Sequence, residues 1–375
     1  MIIAIDGNEA NVKKRVGVSE FAFELLAQLT KIKDQGSSIN VYLKESPLKD
    51  FPIEDKNWQY SIFGPKKLWT QLALPAHLFL QLKKPDVFFT PSHYAPRFSP
   101  CPTVISIMDL AYIHFPQLFA KKDLYQLQNW TKYSVKNASK IITISQSSKH
   151  DILNIYGVAE EKVAVIYPGI KPLVSLTPHV YPMQELKIKY AISQNFLLFV
   201  GTLQPRKNIA RLIEAFSQLK KSKDKELQLV IVGKKGWLYE EILAAPEKFG
   251  VSESVKFLEF VSDDELAILY SNAKCFVFPS LYEGFGLPVL EAMQHDCPVI
   301  TSNVSSLPEA GGDAALYVDP LDVEDMAKKI EKVLNDSNLR KEMIKKGREQ
   351  VKKFSWEKAA KETLDVLQSV ARNKS

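Results

Sequence analysis

Short apolar runs rich in β-branched and aromatic residues alternate along this chain with longer stretches whose apolar positions recur every three or four residues. The first pattern reads as strands buried on both faces, the second as amphipathic helices. In the first half, strands are predicted at 2–5, 40–43, 87–90, 104–107, 140–144 and 163–166, with helices at 19–31, 68–82, 123–137 and 146–156. Ser145 is placed to cap the last of these helices. A stretch from 168 to 195, holding Pro168, Gly169, Pro172, Pro178 and Pro182, breaks the rhythm and reads as a linker. The alternation then resumes. Strands suit 196–200, 228–232, 255–257, 275–278 and 298–301, and helices suit 209–219, 263–271, 287–294, 323–335 and 339–353.

Alternation of this kind implies α/β architecture with parallel sheets. With 375 residues, the chain exceeds what one core usually organises, so two Rossmann-like domains are expected, at 1–180 and 190–355. Two such domains are expected to bind a ligand at the carboxyl ends of their sheets, facing across a cleft.

Composition narrows the partners. Hydrophobic residues make up 46% and charged residues 25%, ordinary for a globular protein. Met1 to Gly7 reads as a strand entering a turn, so no signal peptide is expected there. No apolar run reaches the ~20 residues of a spanning helix. Cys101, Cys275 and Cys297 lack metal-ligand or redox spacing and fit a reducing, cytoplasmic setting, with Cys275 as a core residue. The net charge of +6 lies wholly in the first half: residues 1–180 carry 21 basic against 15 acidic side chains, the remainder 28 against 28. That surplus is compatible with an anionic acceptor, with contact at an acidic membrane face, or with an ordinary solvated surface. Lys66-Lys67 and Lys83-Lys84 bracket helix 68–82, which is either a membrane-docking helix or a core helix with charged ends. Nucleic acid is not expected, because the basic residues are not interleaved with aromatics in a binding module.

The chemistry concentrates in Pro279-Ser280-Leu281-Tyr282-Glu283-Gly284-Phe285-Gly286-Leu287-Pro288-Val289-Leu290-Glu291. This segment leaves a strand, passes two glycines and enters a helix with Pro288 in its first turn, where a missing N–H costs nothing. Free N–H groups at such a helix start form an anion site fit for a diphosphate. Glu283 on the loop can bind sugar hydroxyls, and Glu291, eight positions on, can accept from ribose hydroxyls. Arg206 and Lys207 follow another strand and can neutralise a departing diphosphate; as a bare pair they can equally be solvated surface. Gly17, before the first helix, can admit phosphate close to the backbone. Ser262 with Glu265 spells a capping box.

The two glutamates bracketing Gly-Phe-Gly-Leu-Pro resemble the Glu-x7-Glu motif of family 4 of the retaining glycosyltransferases, whose fold is called GT-B. The likeness extends to Val200-Gly201-Thr202-Leu203-Gln204-Pro205-Arg206-Lys207-Asn208, to Val299-Ile300-Thr301-Ser302 with Ser305-Ser306-Leu307-Pro308-Glu309, to Asp319-Pro320 and to Phe354-Ser355-Trp356. The resemblance implies a retaining hexosyltransferase of polysaccharide biosynthesis, with mannose or a related sugar favoured. It implies a nucleoside diphosphate sugar as donor, a glycan or lipid-linked oligosaccharide as acceptor, and no metal or other cofactor. The last helix, about 356–375, is expected to pack back on the N-terminal domain. By the same resemblance Glu283 and Asp109 lie nearest the sugar, and the donor is held by Gly17, Arg206, Lys207, Val261, Gly284, Phe285, Gly286, Leu287 and Glu291. Val261 belongs to a turn that resembles the family's base-binding turn. Two departures stand out. Thr202 replaces an arginine common in the family. Met108-Asp109 replaces His-Asp, so one sugar contact is lost unless His93 or His114 supplies it. A non-catalytic nucleotide-sugar binder and a sugar-nucleotide epimerase of similar fold are the competing readings.

Overall fold

The computed structural model describes residues 1–32, 36–171, 183–222 and 226–373. The chain divides into two compact units, Met1–Gly169 with the segment from Phe354 onward, and Ile170–Lys353.

In the N-terminal unit, seven strands form one parallel sheet: β1 (Ile2–Asp6), β2 (Ser38–Leu43), β3 (Trp58–Ile62), β4 (Val87–Thr90), β5 (Thr103–Ile107), β6 (Lys140–Thr143) and β7 (Val163–Val165). Their spatial order is β3-β2-β1-β4-β5-β6-β7. The central strands are fully buried, as their continuous apolar runs require. One face of the sheet packs on helix Val18–Ile32, through Phe21, Leu25 and Leu29, and on helix Trp356–Arg372, through Trp356, Ala360, Leu364 and Leu367. Phe21 and Trp356 meet edge to face, their centroids 5.6 Å apart. The last helix therefore completes the core of the first unit.

The second unit repeats the plan with six parallel strands: β8 (Phe196–Val200), β9 (Gln228–Val232), β10 (Val255–Leu258), β11 (Cys275–Phe278), β12 (Val299–Ser302) and β13 (Ala315–Val318), in the order β10-β9-β8-β11-β12-β13. Cys275 is wholly buried in β11, and that burial pushes its thiol up to about 12.

Several elements differ from the sequence pattern. β3 is an edge strand in which polar Gln59 and Ser61 interrupt the apolar run, and β13 is an edge strand of the second sheet. The run of β13 is apolar, but it is only four residues long and three of them are half-buried, as an edge position allows. Helix Glu240–Lys248 holds Pro246, which disguised it. Helix Met183–Tyr190 falls inside the expected linker, while Pro172, Pro178 and Pro182 lie outside the described residues. The expected helix at 68–82 is a π-type turn, Trp69–Ala73, running into a short α-helix, Leu74–Leu80. Ser145 caps its helix, accepting from Ser148 N at 3.0 Å. Among the described residues, no helix is long and apolar enough to cross a membrane.

Candidate active site

In the second unit the chain winds outward from β8 to β10, then returns to β11 and continues to β13, so β8 and β11 flank the point where the winding reverses. Loops leaving adjacent strands at such a point diverge and open a crevice at the carboxyl edge of the sheet. The loop after β8 carries Arg206 and Lys207, and the loop after β11 carries Glu283 to Gly286. The two loops are stitched together. Leu281 N donates to Arg206 O at 2.9 Å. Asn208, held at φ 60, donates through its amide to the carbonyls of Pro279 at 3.1 Å and Pro320 at 2.6 Å.

This stitching brings Arg206, Lys207 and Glu283 into one cluster. Lys207 Nζ donates to Glu283 Oε1 at 2.5 Å, and Arg206 Nη1 stands 3.2 Å from Glu283 Oε2. Arg206 also donates to the carbonyl of Tyr282. The Lys207 ammonium sits 4.8 Å from the centroid of the Phe278 ring. Lys207 and Glu283 are buried. Burial alone would push the Glu283 carboxyl up, but the charges of Arg206 and Lys207 and the hydrogen bond from Lys207 outweigh it and hold the carboxyl down to about 2. The backbone on either side of Glu283 is fixed as well. Glu283 N donates to Ser305 Oγ at 3.0 Å, and Ser306 Oγ donates to the carbonyls of Glu283 at 2.8 Å and Phe285 at 3.0 Å. One carboxylate against two cations leaves this trio with a net charge of +1.

Helix Leu287–Gln294 begins directly behind it. Its N-cap is Gly286, at φ 112, with no side-chain cap and Pro288 in the first turn. That left-handed conformation suits glycine, and a Cβ there would meet Leu307 Cδ2 at 2.9 Å. A helix start with no capping side chain, next to two cations, favours an anion. Gly284 and Phe285 are buried in the loop, and Leu287 opens the helix. Glu291, one turn further in, accepts from Tyr270 Oη at 3.2 Å, and the Tyr270 ring stacks on His295 with centroids 5.5 Å apart. Val261 is buried beside Ser262, and Ser262 with Glu265 forms the expected capping box. Glu265 also accepts from Lys189 Nζ at 2.6 Å and Tyr190 Oη at 3.1 Å, which ties helix Met183–Tyr190 to this turn.

The other sequence-selected residues belong to the N-terminal unit. Gly17, at φ 56, is exposed just ahead of helix Val18–Ile32, and Ser19 Oγ accepts from Val16 N at 2.9 Å. Asp109 follows β5 and accepts from Ala111 N at 2.9 Å. Met108 turns into the core among Ile5, Val104 and Ile142, a packing role. Its carbonyl accepts from Ser148 Oγ at 3.0 Å. His114 Nε2 lies 2.9 Å from Asp151 Oδ2 in a surface pair. His93 is partly buried after β4; burial holds its imidazole below the usual range, against the pull of Asp109.

Two residues stand out that the sequence pattern did not single out, and the Ser305-Ser306 pair, noted only as part of the family likeness, gains a role. Asp6, at the end of β1, is 6% exposed, and burial pushes its carboxyl up to about 6 despite hydrogen bonds from Asn8 N and Nδ2. Tyr270 and the Ser305-Ser306 pair act at the site through contacts that no local spacing reveals. Among the described residues, no group of three or more His, Cys, Asp or Glu side chains could hold a metal ion.

Residues 183–350 match the family model described as Glycosyl transferases group 1, and residues 17–172 match the model for Glycosyltransferase Family 4. The chain is 32% identical over 269 residues to the O-antigen chain mannosyltransferase B of Escherichia coli, covering 70% of this chain and 69% of that one. The chain belongs to glycosyltransferase family 4. This glycosyltransferase is also 36% identical over 228 residues to the serotype-specific mannosyltransferase WbdA of Escherichia coli, a match that covers 60% of this chain but only 28% of that longer protein. In fold, it is similar to Anabaena Alr3699/HepE, solved in complex with UDP-glucose, with a TM-score of 0.73 and 18% identity over 98% of this chain and 99% of that one. The fold is GT-B, built from two Rossmann-like units with parallel sheets. Family membership sets aside the epimerase reading.

Proposed function

We propose that this glycosyltransferase transfers a hexose, with mannose favoured, from a nucleoside diphosphate sugar to a glycan or lipid-linked oligosaccharide, keeping the anomeric configuration and using no metal. The observation that carries the proposal is the buried Arg206–Lys207–Glu283 cluster at an uncapped helix start. In this reading the two cations and the N–H groups from Gly284 to Leu287 receive the diphosphate, doing the work a divalent ion would otherwise do. Glu283, kept ionised by its neighbours, accepts from sugar hydroxyls. Glu291, oriented by Tyr270, accepts from the ribose, and the turn at Val261 faces the base. In the N-terminal unit, Gly17 gives phosphate close access to the backbone and Asp109 contacts the sugar. The preference for mannose follows the names of the Escherichia coli relatives, and the nucleotide-sugar donor follows the HepE complex.

The test is a donor panel of GDP-mannose, UDP-glucose, UDP-N-acetylglucosamine and dTDP-rhamnose, read by thermal shift and by slow hydrolysis. One donor should raise the melting temperature and be hydrolysed, and Glu283→Gln should lose the turnover. Donor binding without turnover toward any acceptor would favour a non-catalytic binder. Silence across the panel would remove the donor-site assignment.

Peripheral membrane contact belongs to the same proposal. Leu68, Leu72, Phe79, Leu80 and Leu82 are exposed along the helical segment between Lys66-Lys67 and Lys83-Lys84. Apolar residues framed by lysines fit an anionic bilayer surface. Sedimentation with phosphatidylglycerol vesicles, but not phosphatidylcholine vesicles, is expected and should weaken in Leu80→Glu. Equal recovery of the two proteins would overturn it.

A further inference from the structure

The loop from Gly7 to Gly17 leaves the carboxyl end of β1 and leads into helix Val18–Ile32. It carries a basic run, Lys13-Lys14-Arg15, just short of Gly17. Lys13 and Lys14 are exposed, whereas the Arg15 side chain is only 11% exposed. All three guanidinium nitrogens of Arg15 are engaged within the fold. Nε donates to the carbonyl of Ala10 at 2.7 Å, and Nη1 and Nη2 donate to the two carboxylate oxygens of Asp50 at 2.5 and 3.1 Å. The guanidinium also lies 3.7 Å from the centroid of the Phe23 ring and 5.7 Å from that of Phe51. Phe51 is buried and tilts against Phe23, with centroids 5.9 Å apart. A forked ion pair and contact with aromatic rings each constrain the guanidinium plane, so together they hold it in one orientation. The front of the loop is tied to the same neighbouring segment, 44–51 after β2. Asn8 Oδ1 accepts from Lys44 N at 2.9 Å, while the Asn11 side chain accepts from Leu48 N and donates to the carbonyl of Ser46, both at 3.0 Å.

We propose that Arg15 and Asp50 form a latch that presets the Gly17 end of this loop for donor phosphate, which makes Arg15 a positioning residue and not a phosphate ligand. The inference rests on the reading of Gly17 as a contact of the donor phosphate. Gly17 stands at φ 56, and a Cβ built on it meets nothing within 4 Å, so the space over its backbone is open. A loop that already has its bound shape loses less conformational entropy when an anion arrives, and the difference appears as affinity. Arg15 itself has no nitrogen left over for the anion. Its charge is answered by Asp50, and its place is between a carbonyl, a carboxylate and two rings.

Asp50→Asn gives the two roles opposite signs. With Asp50 serving a latch, its loss loosens the loop and weakens donor binding. Were Arg15 a phosphate ligand, removing the competing carboxylate would strengthen binding instead. Arg15→Lys keeps the charge but can neither fork nor stack, and Arg15→Gln removes the charge. Each variant is assayed for steady-state hydrolysis of whichever sugar nucleotide of the four-member panel the wild type turns over. All three should raise KM about 3- to 10-fold with kcat within twofold of wild type, the scale of a partly exposed charge-assisted pair. A rise in KM at constant kcat marks binding lost equally from ground and transition states, whereas a partly unfolded preparation would lower kcat at unchanged KM. The double variant Arg15→Gln/Asp50→Asn should be no worse than the weaker of its single variants, because the two residues act as one latch. A lower KM in Asp50→Asn, an Arg15→Lys variant close to wild type while Arg15→Gln fails, or wild-type KM in all three would overturn the latch. Gly17→Ala tests the reading beneath it, since it sets a methyl group into the open space at a left-handed position. Wild-type kinetics in Gly17→Ala, or a wild type inert toward all four sugar nucleotides, would defeat that reading; a raised KM in Gly17→Ala with none in the Arg15 and Asp50 variants would overturn the latch alone.

Discussion

Between β8 and β11 two cations close on one carboxylate beside a helix start, and the carboxyl of Glu283 is held down to about 2. Between β1 and β4, in a sheet of the same winding, burial outweighs the amide donors of Asn8 at Asp6, the like charge of Glu9 adds to it against a weak pull from Lys44, and the carboxyl rises to about 6. Both carboxylates are buried. What separates them is the company each keeps. Desolvation disfavours the charged form at both places, and only the C-terminal unit supplies enough positive charge to reverse the effect. The two sheets thus reverse their winding in the same way, and a few side chains decide whether a buried carboxyl at that point keeps its charge.

The largest expected effect comes from removing that charge. Lys207→Met keeps most of the buried aliphatic contact and deletes the ammonium 2.5 Å from Glu283. With Arg206 alone opposing Glu283, the trio becomes neutral. Turnover of the productive nucleotide sugar should fall by about 100- to 1000-fold, the usual consequence of losing one fixed stabilising group at a site of developing charge. Steady-state donor hydrolysis measures it. A fall of less than threefold would mean that the helix start alone receives the diphosphate and that the contrast between the two crevices is not electrostatic.

The two crevices also differ in how readable they are from residue order. Glu283, the two glycines, Pro288 and Glu291 lie within nine consecutive positions, so strand, turn, helix start and carboxylates can be read as one segment. Arg206 and Lys207 are readable as a basic pair after a strand, but their engagement with Glu283 across 76 positions is a product of strand adjacency. Nothing local distinguishes Asp6. It is a single residue at the end of a strand, and its environment comes from strands far away in the chain. The same holds for secondary structure. Central strands announce themselves through unbroken, buried apolar runs, whereas edge strands bury less: β3 mixes Gln59 and Ser61 into its run, and the short run of β13 is half-buried. Capping is the opposite case. Ser262 and Glu265 satisfy each other within four residues, so the pattern and the structure coincide.

Titration gives the finest test of the comparison, because the two carboxylates should push stability in opposite directions. A carboxyl near 2 in the fold and near 4.5 when unfolded releases its proton more readily in the native state. Glu283 therefore stabilises fully above pH 4.5, and the contribution fades as pH falls toward 2. Glu283→Gln should lose about 3 kcal/mol at neutral pH, with the gap from wild type closing in acid. Asp6 behaves inversely, with a carboxyl near 6 in the fold and near 3.8 when unfolded. The native state holds the proton longer, so wild-type stability declines as pH rises from 3.8 to 6 and stays lower above that range. Asp6→Asn retains an amide oxygen to accept from Asn8 and carries no charge to bury. It should be more stable than wild type by about 2 to 3 kcal/mol at pH 7, the gain vanishing below pH 4. Urea denaturation across pH 3 to 8 distinguishes the two variants. If Asp6→Asn were destabilising at pH 7, the Asp6 carboxylate would have to be stabilised by charges that its bonds to Asn8 and its weak attraction to Lys44 do not supply, and the contrast between the crevices would lose its electrostatic basis.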